Sequence, residues 1–133
     1  MVIDSSALIS ILRNEAEAPV LARAIRAAPV RRISAATFVE TGIVVDVKFD
    51  AVASRRLDEL LAAMNARFEP FTAEQARLAR GAYRDFGRGS GHPARLNLGD
   101  CFAYALAVSL NEPLLFTGTD FALTGVRSAT DPA

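Results

Sequence analysis

The sequence predicts an α/β fold of three layers (α/β/α), in which helices cover both faces of a mostly parallel central sheet. Short β-type runs alternate along the chain with segments whose apolar residues recur at helical spacing. This alternation is typical of parallel sheets, because two parallel strands are usually joined by a helix. The chain has 133 residues, of which 51% are hydrophobic. These values predict one domain, residues 1–133, with a single packed core.

The first half of the chain is predicted to contain two strands and four helices. Leu8 and Ile11 lie at helical spacing just after the first apolar run. Pro29 ends the second helix, and Ser34 and Asp50 are of the types that cap helix N-termini. In chain order these elements are a strand at 1–4, helices at 5–12 and 15–28, a strand at 31–34, and helices at 35–47 and 51–66.

The second half is predicted to contain two helices and up to three strands. Thr72 caps the first of these helices, and Pro113 ends the second. The second helix is apolar on nearly every side, which predicts a position in the middle of the domain. In chain order the elements are a strand at 67–70, a helix after Thr72, a glycine-rich loop at 87–93, a helix at 99–110, a strand at 114–116 and a last edge strand at 126–128.

Composition excludes several classes of protein. Fifteen basic and fifteen acidic residues give a formal charge of zero, so overall charge does not indicate a nucleic-acid binder. Lys48 is the one lysine, and the arginines that make up the rest are well suited to bidentate phosphate contacts. Cys101 is the one cysteine, which excludes an internal disulfide. With no apolar run long enough for a membrane span, we expect a cytoplasmic protein.

Four acidic residues fall where the predicted fold would bring them together. Asp4 ends the first strand, Asp120 follows the strand at 114–116 by one turn, and Asp100 begins the central helix. Functional crevices of parallel sheets lie at the carboxyl ends of the strands. Each of these aspartates also has a structural interpretation, as a helix cap, a partner of the helix dipole or a turn residue. Glu40 is harder to explain that way, because it lies midway along an apolar helix.

Crowded carboxylates repel one another and need a cation to neutralise them. All-oxygen ligation favours Mg²⁺ or Mn²⁺. Zinc is disfavoured, because the chain offers one histidine and one cysteine. The hydroxyls of Ser5, Ser6 and Thr117 lie beside the acids in the sequence and could hold a carboxylate or a water in place. They are equally well explained as helix-start and turn residues.

Four motifs in order carry a resemblance to a known family. They are Val-Ile-Asp-Ser-Ser, Ala-Ala-Thr-Phe-Val-Glu-Thr, Leu-Gly-Asp-Cys-Phe-Ala-Tyr-Ala-Leu-Ala and Leu-Leu-Phe-Thr-Gly-Thr-Asp-Phe. With these motifs the chain resembles a PIN-domain ribonuclease, and closely resembles the VapC toxins of bacterial toxin–antitoxin pairs. The resemblance spans essentially the whole chain.

The resemblance implies Mg²⁺-dependent endonucleolytic cleavage of RNA, with Mn²⁺ as a substitute. It assigns Asp4, Glu40, Asp100 and Asp120 to an acidic metal site that is also catalytic. Asp120 is the remaining candidate for the fourth acid, because Thr119 stands where family members often carry a neighbouring one. The resemblance further implies a homodimer and a cognate VapB-type antitoxin that covers the cleft.

Arginines at spacings of three and four along the helix after Thr72 allow two interpretations. They form either a solvated helix face or a track for RNA phosphates, with Arg13 as an addition on another helix. The residues concerned are Arg13, Arg77, Arg80, Arg84 and Arg88.

Three other functions are compatible with an α/β fold of this size. A haloacid-dehalogenase-type phosphatase needs a second aspartate two residues after Asp4, where this chain has Ser6. A dinucleotide-binding fold needs its glycine pattern directly after the first strand, whereas the glycine-rich run of this chain lies far away, at 87–91. A PIN-like scaffold that binds RNA or a partner without catalysis remains the alternative, although such a scaffold would tolerate the loss of acids that this chain keeps.

Overall fold

A computed structural model describes residues 1–131 of the chain. Its strands are β1 (Val2–Ile3), β2 (Arg32–Ser34), β3 (Arg67–Glu69) and β4 (Leu114–Leu115). They form one sheet in the order β3-β2-β1-β4, in which Val2 pairs with both Arg32 and Leu114. Every pairing is parallel, which confirms the predicted α/β fold. The last two residues of the predicted domain lie outside the described range.

Six α-helices and one short 3₁₀ helix occur among residues 1–131. The α-helices are α1 (Ser5–Leu12), α2 (Ala18–Ala27), α3 (Ala35–Lys48), α4 (Ala51–Ala63), α5 (Ala73–Phe86) and α6 (Leu98–Leu110). The 3₁₀ helix, Phe121–Leu123, was not predicted. The α-helices occur in the predicted order, and their ends differ from the predictions by a few residues. None of the helices in the described part of the chain is long and apolar enough to span a membrane.

The edge strand predicted at 126–128 reduces to a single bridge. Ser128 pairs with Leu114 of β4, and no further residue of this segment joins the sheet within the range 1–131. Gly125 directly before it has a positive φ of 82°. The segment contributes two backbone hydrogen bonds, both with Leu114, rather than a strand.

Strand-to-helix junctions place polar side chains at the carboxyl edge of the sheet. β1 leads directly into α1 through Asp4, whose side chain accepts a hydrogen bond from the N–H of Ser6 and caps the helix. β2 leads directly into α3 through Ser34, which caps that helix with a hydrogen bond from Ala36. Because parallel strands end at the same edge, both helix N-termini lie there.

The sheet divides the core into two parts. Val2 and Leu114 face one cluster of buried residues, which also contains residues of α5 and α6. Ile3 and Leu115 face the other, built mainly from α1, α2 and α4. This alternation follows from the two-residue period of a strand, so the single core expected from composition is two half-cores, as a three-layer fold requires. α6 lies in the middle of the domain only in part: its small residues from Gly99 to Ala107 are mostly buried, whereas Leu98 at its start is 63% exposed and Leu110 at its end is 41% exposed.

Candidate active site

The structure brings the four predicted acids to the carboxyl edge of the sheet. Asp4 follows β1 and is 1% exposed, whereas Asp120 follows β4 and is exposed. Asp100 lies in the first turn of α6, and Glu40 lies on α3. The four acids are close enough for their charges to raise one another's pKa values. Asp100 and Glu40 raise the pKa of Asp4, Asp100 raises that of Glu40, and Asp120 raises that of Asp100.

Asp4 is the most deeply buried of these acids. Its Oδ2 accepts the hydrogen bond from the Ser6 N–H at 3.0 Å. Its Oδ1 is buried and has no hydrogen-bond partner among residues 1–131. Burial raises the pKa of Asp4 from 3.8 to about 7, and the charges of Asp100 and Glu40 add to the rise against the lowering effect of the Ser6 hydrogen bonds. A buried carboxylate with an unpartnered oxygen is unfavourable unless a cation compensates it.

One carboxylate oxygen of Asp100 caps a helix, which leaves the other oxygen for the site. Its Oδ2 accepts the backbone N–H of Asn97 at 2.9 Å, and the Asn97 side chain accepts the N–H of Asp100 at 2.8 Å. This reciprocal pair is a capping box that begins α6. Burial raises the pKa of Asp100, the Asn97 hydrogen bond opposes the rise, Asp120 adds to it and Arg88 opposes it. The structural and functional interpretations are therefore compatible, because capping uses one carboxylate oxygen.

Glu40 reaches the cluster because α6 begins with a glycine beside it. A Cβ atom built on Gly99 would overlap the Glu40 carboxylate. Burial is the largest effect on Glu40 and raises its pKa; the nearby Ser5 side chain lowers this pKa, and the charge of Asp100 raises it. Gly99 is a site residue that sequence reasoning missed. Its signal was a glycine in the first turn of a helix, where glycine is less favourable than alanine by about 1 kcal/mol.

The predicted hydroxyl residues join the strand ends to one another. Ser6 accepts a hydrogen bond from the backbone N–H of Thr117 at 3.1 Å, which connects the end of β1 to the chain leaving β4. Ser5 contacts Glu40 as described, and Thr117 is half-buried. Two of the three predicted hydroxyls thus hold parts of the cluster together.

The five predicted arginines have different neighbours in the fold. Arg88 lies near enough to Asp100 to lower its pKa, and its backbone N–H is bound to the carbonyl of Leu96 at 3.0 Å. Arg13 lies at the far end of α1 from Asp4, about 12 Å away along a helix of eight residues. It pairs there with Glu15 at 3.8 Å. Arg80 and Arg84 line a groove beside the acids, whereas Arg77 is exposed on α5.

The donor set fits a hard divalent cation. Its donors are carboxylate oxygens, all three buried or half-buried acids have raised pKa values, and Asp4 carries an unpartnered buried oxygen. Oxygen donors of this kind suit Mg²⁺ or Mn²⁺. Within residues 1–131, no three acidic, histidine or cysteine side chains lie close enough to enclose one ion as they stand. The site is thus an open cluster rather than a closed set of ligands.

Comparison with known proteins places this site in a family. The sequence model of the PIN domain matches residues 1–126. Ribonuclease VapC28 of Mycobacterium tuberculosis is 56% identical over 131 residues, which is 98% of either chain. The crystal structure of M. tuberculosis VapC20, a Sarcin-Ricin loop cleaving toxin, superposes with a TM-score of 0.72 at 16% identity and covers 94% of this chain and 95% of that one. A chain of a toxin–antitoxin complex from Klebsiella pneumoniae has a TM-score of 0.66 at 19% identity, with coverage of 91% and 89%.

The chain belongs to the PIN-domain family, within the group of VapC ribonucleases. This confirms the resemblance inferred from the four motifs, and with it the nuclease class of enzyme. The two structural similarities, at 16% and 19% identity, support the fold alone.

Proposed function

We propose that the chain is the toxin of a VapBC-type toxin–antitoxin pair and cleaves RNA endonucleolytically with Mg²⁺. One observation carries the proposal: four acids from three separate helices and a turn converge at the strand ends, and a buried oxygen of Asp4 has no partner within residues 1–131. Phosphodiester cleavage by a metal-activated water needs such a cluster. We also propose that it acts in the cytoplasm, where its RNA substrate is found.

In this proposal Asp4, Glu40 and Asp100 hold the ion through their carboxylate oxygens. When bound, magnesium lowers the pKa of a water and stabilises negative charge on a phosphoryl oxygen. Asp120, exposed beside Asp100, completes the cluster or positions the water that attacks phosphorus in line with the bond that breaks. Ser5 lies near enough to Glu40 to favour its charged form, the form that binds a cation. The Asn97 N–H does the same for Asp100.

An apolar stripe on α3 supports the proposed partners, an antitoxin and a second copy of the chain. Val39, Ile43 and Val47 recur every four residues and are 57%, 58% and 76% exposed. Large apolar side chains exposed in a row commonly mark a protein interface. A relative of known structure, the toxin–antitoxin complex from K. pneumoniae, is an assembly of this kind.

The alternative is a scaffold that binds RNA or a partner without catalysis. The observation that favours it is the open arrangement of the acids among residues 1–131, in which no three could enclose an ion. Titration calorimetry with Mn²⁺ separates the two, because a scaffold would give no carboxylate-dependent binding.

The deciding experiment compares Asp100→Asn with Asp58→Asn, a control on α4 outside the cluster. We expect Asp100→Asn to lower the rate of Mg²⁺-dependent RNA cleavage by about 10²–10³-fold, the usual cost of removing one electrostatic group from an active site. Asp58→Asn should cleave like the wild type. Sequencing of RNA ends after induced expression would identify the cut sites. Full activity of the folded Asp100→Asn chain would overturn the assignment.

A further inference from the structure

A mostly apolar groove of about 590 Å³ lies between α5 and α6, next to the acid cluster. Three aromatic rings, one leucine and two arginines form much of its lining. The side chains concerned are Phe71, Arg80, Tyr83, Arg84, Leu98 and Phe102. Leu98 is 63% exposed, Tyr83 39% and Phe71 36%. Together these side chains form one exposed apolar patch, which the catalytic proposal does not use.

The groove and the acids share the first turn of α6. Leu98 lines the groove, Gly99 packs against Glu40, and Asp100 joins the acids. These residues are consecutive, so the backbone that forms the groove wall also positions two carboxylates. The end of the groove at Leu98 therefore lies within one helical turn of Asp100.

We propose that this groove binds one unstacked base of single-stranded RNA next to the phosphate that is cleaved. The inference rests on the proposed function, since it names the part of the RNA that the same site would hold. RNA-binding proteins commonly hold unpaired bases against aromatic side chains and arginine planes.

The chemistry of the lining favours RNA over an apolar protein segment. Phe71 meets Phe102 edge to face, with ring centroids 5.1 Å apart, and Tyr83 lines the same groove. Arg80 and Arg84 add positive charge to the apolar floor, and no acidic side chain is part of the lining within residues 1–131. Aromatic faces beside guanidinium groups complement a base and its phosphates together.

The test measures binding without cleavage, in EDTA, by fluorescence anisotropy. The probes are a ten-nucleotide oligouridine and the same ribose–phosphate chain without bases. We expect the wild type to bind oligouridine about tenfold or more tightly than the abasic chain, because the stacking of a base on an aromatic ring strengthens binding by about that factor. Tyr83→Ala should lose about tenfold of this preference and bind the abasic chain as the wild type does.

Two variants sharpen the result. Phe68→Ala removes a ring that is 51% exposed but lies outside the groove, so the preference for bases should stay unchanged. Arg80→Ala should weaken binding of both probes equally and reduce the salt slope by about one, as expected for a lost phosphate contact.

Several outcomes would overturn the inference. An equal affinity of the wild type for both probes would do so, as would a base preference that Tyr83→Ala leaves intact. If Tyr83→Ala changes the mass of the chain in sedimentation but not its base preference, the groove is a protein interface instead. Cleavage assays distinguish this inference from the proposed function. If RNA is cleaved but bases are not preferred, only the inference fails; if bases are preferred but RNA is not cleaved, only the proposed function fails.

Discussion

Two groups of acids in this molecule differ in whether a positively charged group pairs with them. Glu69 and Glu112 both pair with Arg32, at 2.6 and 3.0 Å. Burial alone would raise the pKa of Glu112, but hydrogen bonds from the Met1 ammonium and Arg32 hold it below its ordinary value.

The acids at the carboxyl edge show the opposite behaviour. Asp4, Glu40 and Asp100 all have raised pKa values, chiefly because they are buried, and their mutual repulsion adds to the effect. Arg88 opposes the rise for Asp100. The difference teaches that paired acids stabilise this fold, whereas the unpaired acids cost stability and are best explained by a bound cation.

The largest expected effect is the loss of activity in Asp4→Asn. Asparagine keeps the oxygen that caps α1 but removes the charge, so the fold should remain while RNA cleavage falls by about 10²–10³-fold. Initial rates on a labelled RNA, with circular dichroism to verify folding, would measure this. Glu112→Gln is the matched control from the paired group, and a comparable loss of activity in it would remove the contrast between the two groups.

The second effect is the pH dependence of stability without metal. The pKa of Asp4 is about 7 in the folded state against 3.8 ordinarily, so between those values the folded chain holds a proton that the unfolded chain has lost. Its contribution to stability is therefore full below about pH 4 and is lost as the pH rises to about 7, a change of a few kcal/mol.

Urea unfolding in EDTA across this pH range would measure that change. Asp4→Asn should flatten the dependence and unfold at higher urea than the wild type at pH 8. Added Mg²⁺ should stabilise the wild type at pH 8 more than the variant, by mass action. A wild-type stability that rises from pH 4 to pH 7 would contradict the burial of an unpaired carboxylate.

A third, smaller effect concerns Gly99→Ala. The added methyl group overlaps the Glu40 carboxylate, so Glu40 must move away from the other acids. We expect activity to fall by about tenfold or more, and stability to fall by about 1–3 kcal/mol from overpacking. Gly42→Ala on α3 is the control, because open space surrounds that position; it should keep activity and gain up to about 1 kcal/mol. Equal activity of both variants would show that Glu40 is dispensable.

The smallest effect is the stability change in Glu112→Gln. The variant removes the charge that pairs with Arg32 and the Met1 ammonium in a partly exposed network. We expect a loss of about 1 kcal/mol at pH 7, measured by urea unfolding. This loss of stability should shrink at low pH, where the wild-type carboxylate is protonated and therefore uncharged, like glutamine. An unchanged midpoint would mean that the paired acids do not stabilise the fold.

Much of the fold was predictable because its signals are local. Alternating strands and helices, the caps Asp4, Ser34, Asp50 and Thr72, and the stop at Pro113 are each set by neighbours in the sequence. The edge strand at 126–128 was only partly predictable, because the extent of its pairing depends on β4, a partner that the local sequence does not show; the structure has one bridge there.

The candidate acids were also predictable, since a charged residue in an apolar segment is visible without a structure. Glu40 was recognised in this way. Gly99 and Asn97 were not, because their importance lies in contacts with Glu40 and Asp100 that the sequence alone does not display.

The sequence by itself determined the order of the elements, the parallel sheet and the family to which the chain belongs, and it named the four candidate acids. Periodicity, capping residues and motifs all involve residues that are close together in the chain, so they can be recognised from the sequence alone. The tertiary structure alone decided that one oxygen of Asp4 is buried without a partner, that Gly99 makes room for Glu40, and that the arginines divide between the acids, the groove and the far end of α1. These features depend on distances between segments far apart in the chain, which packing sets and local sequence does not.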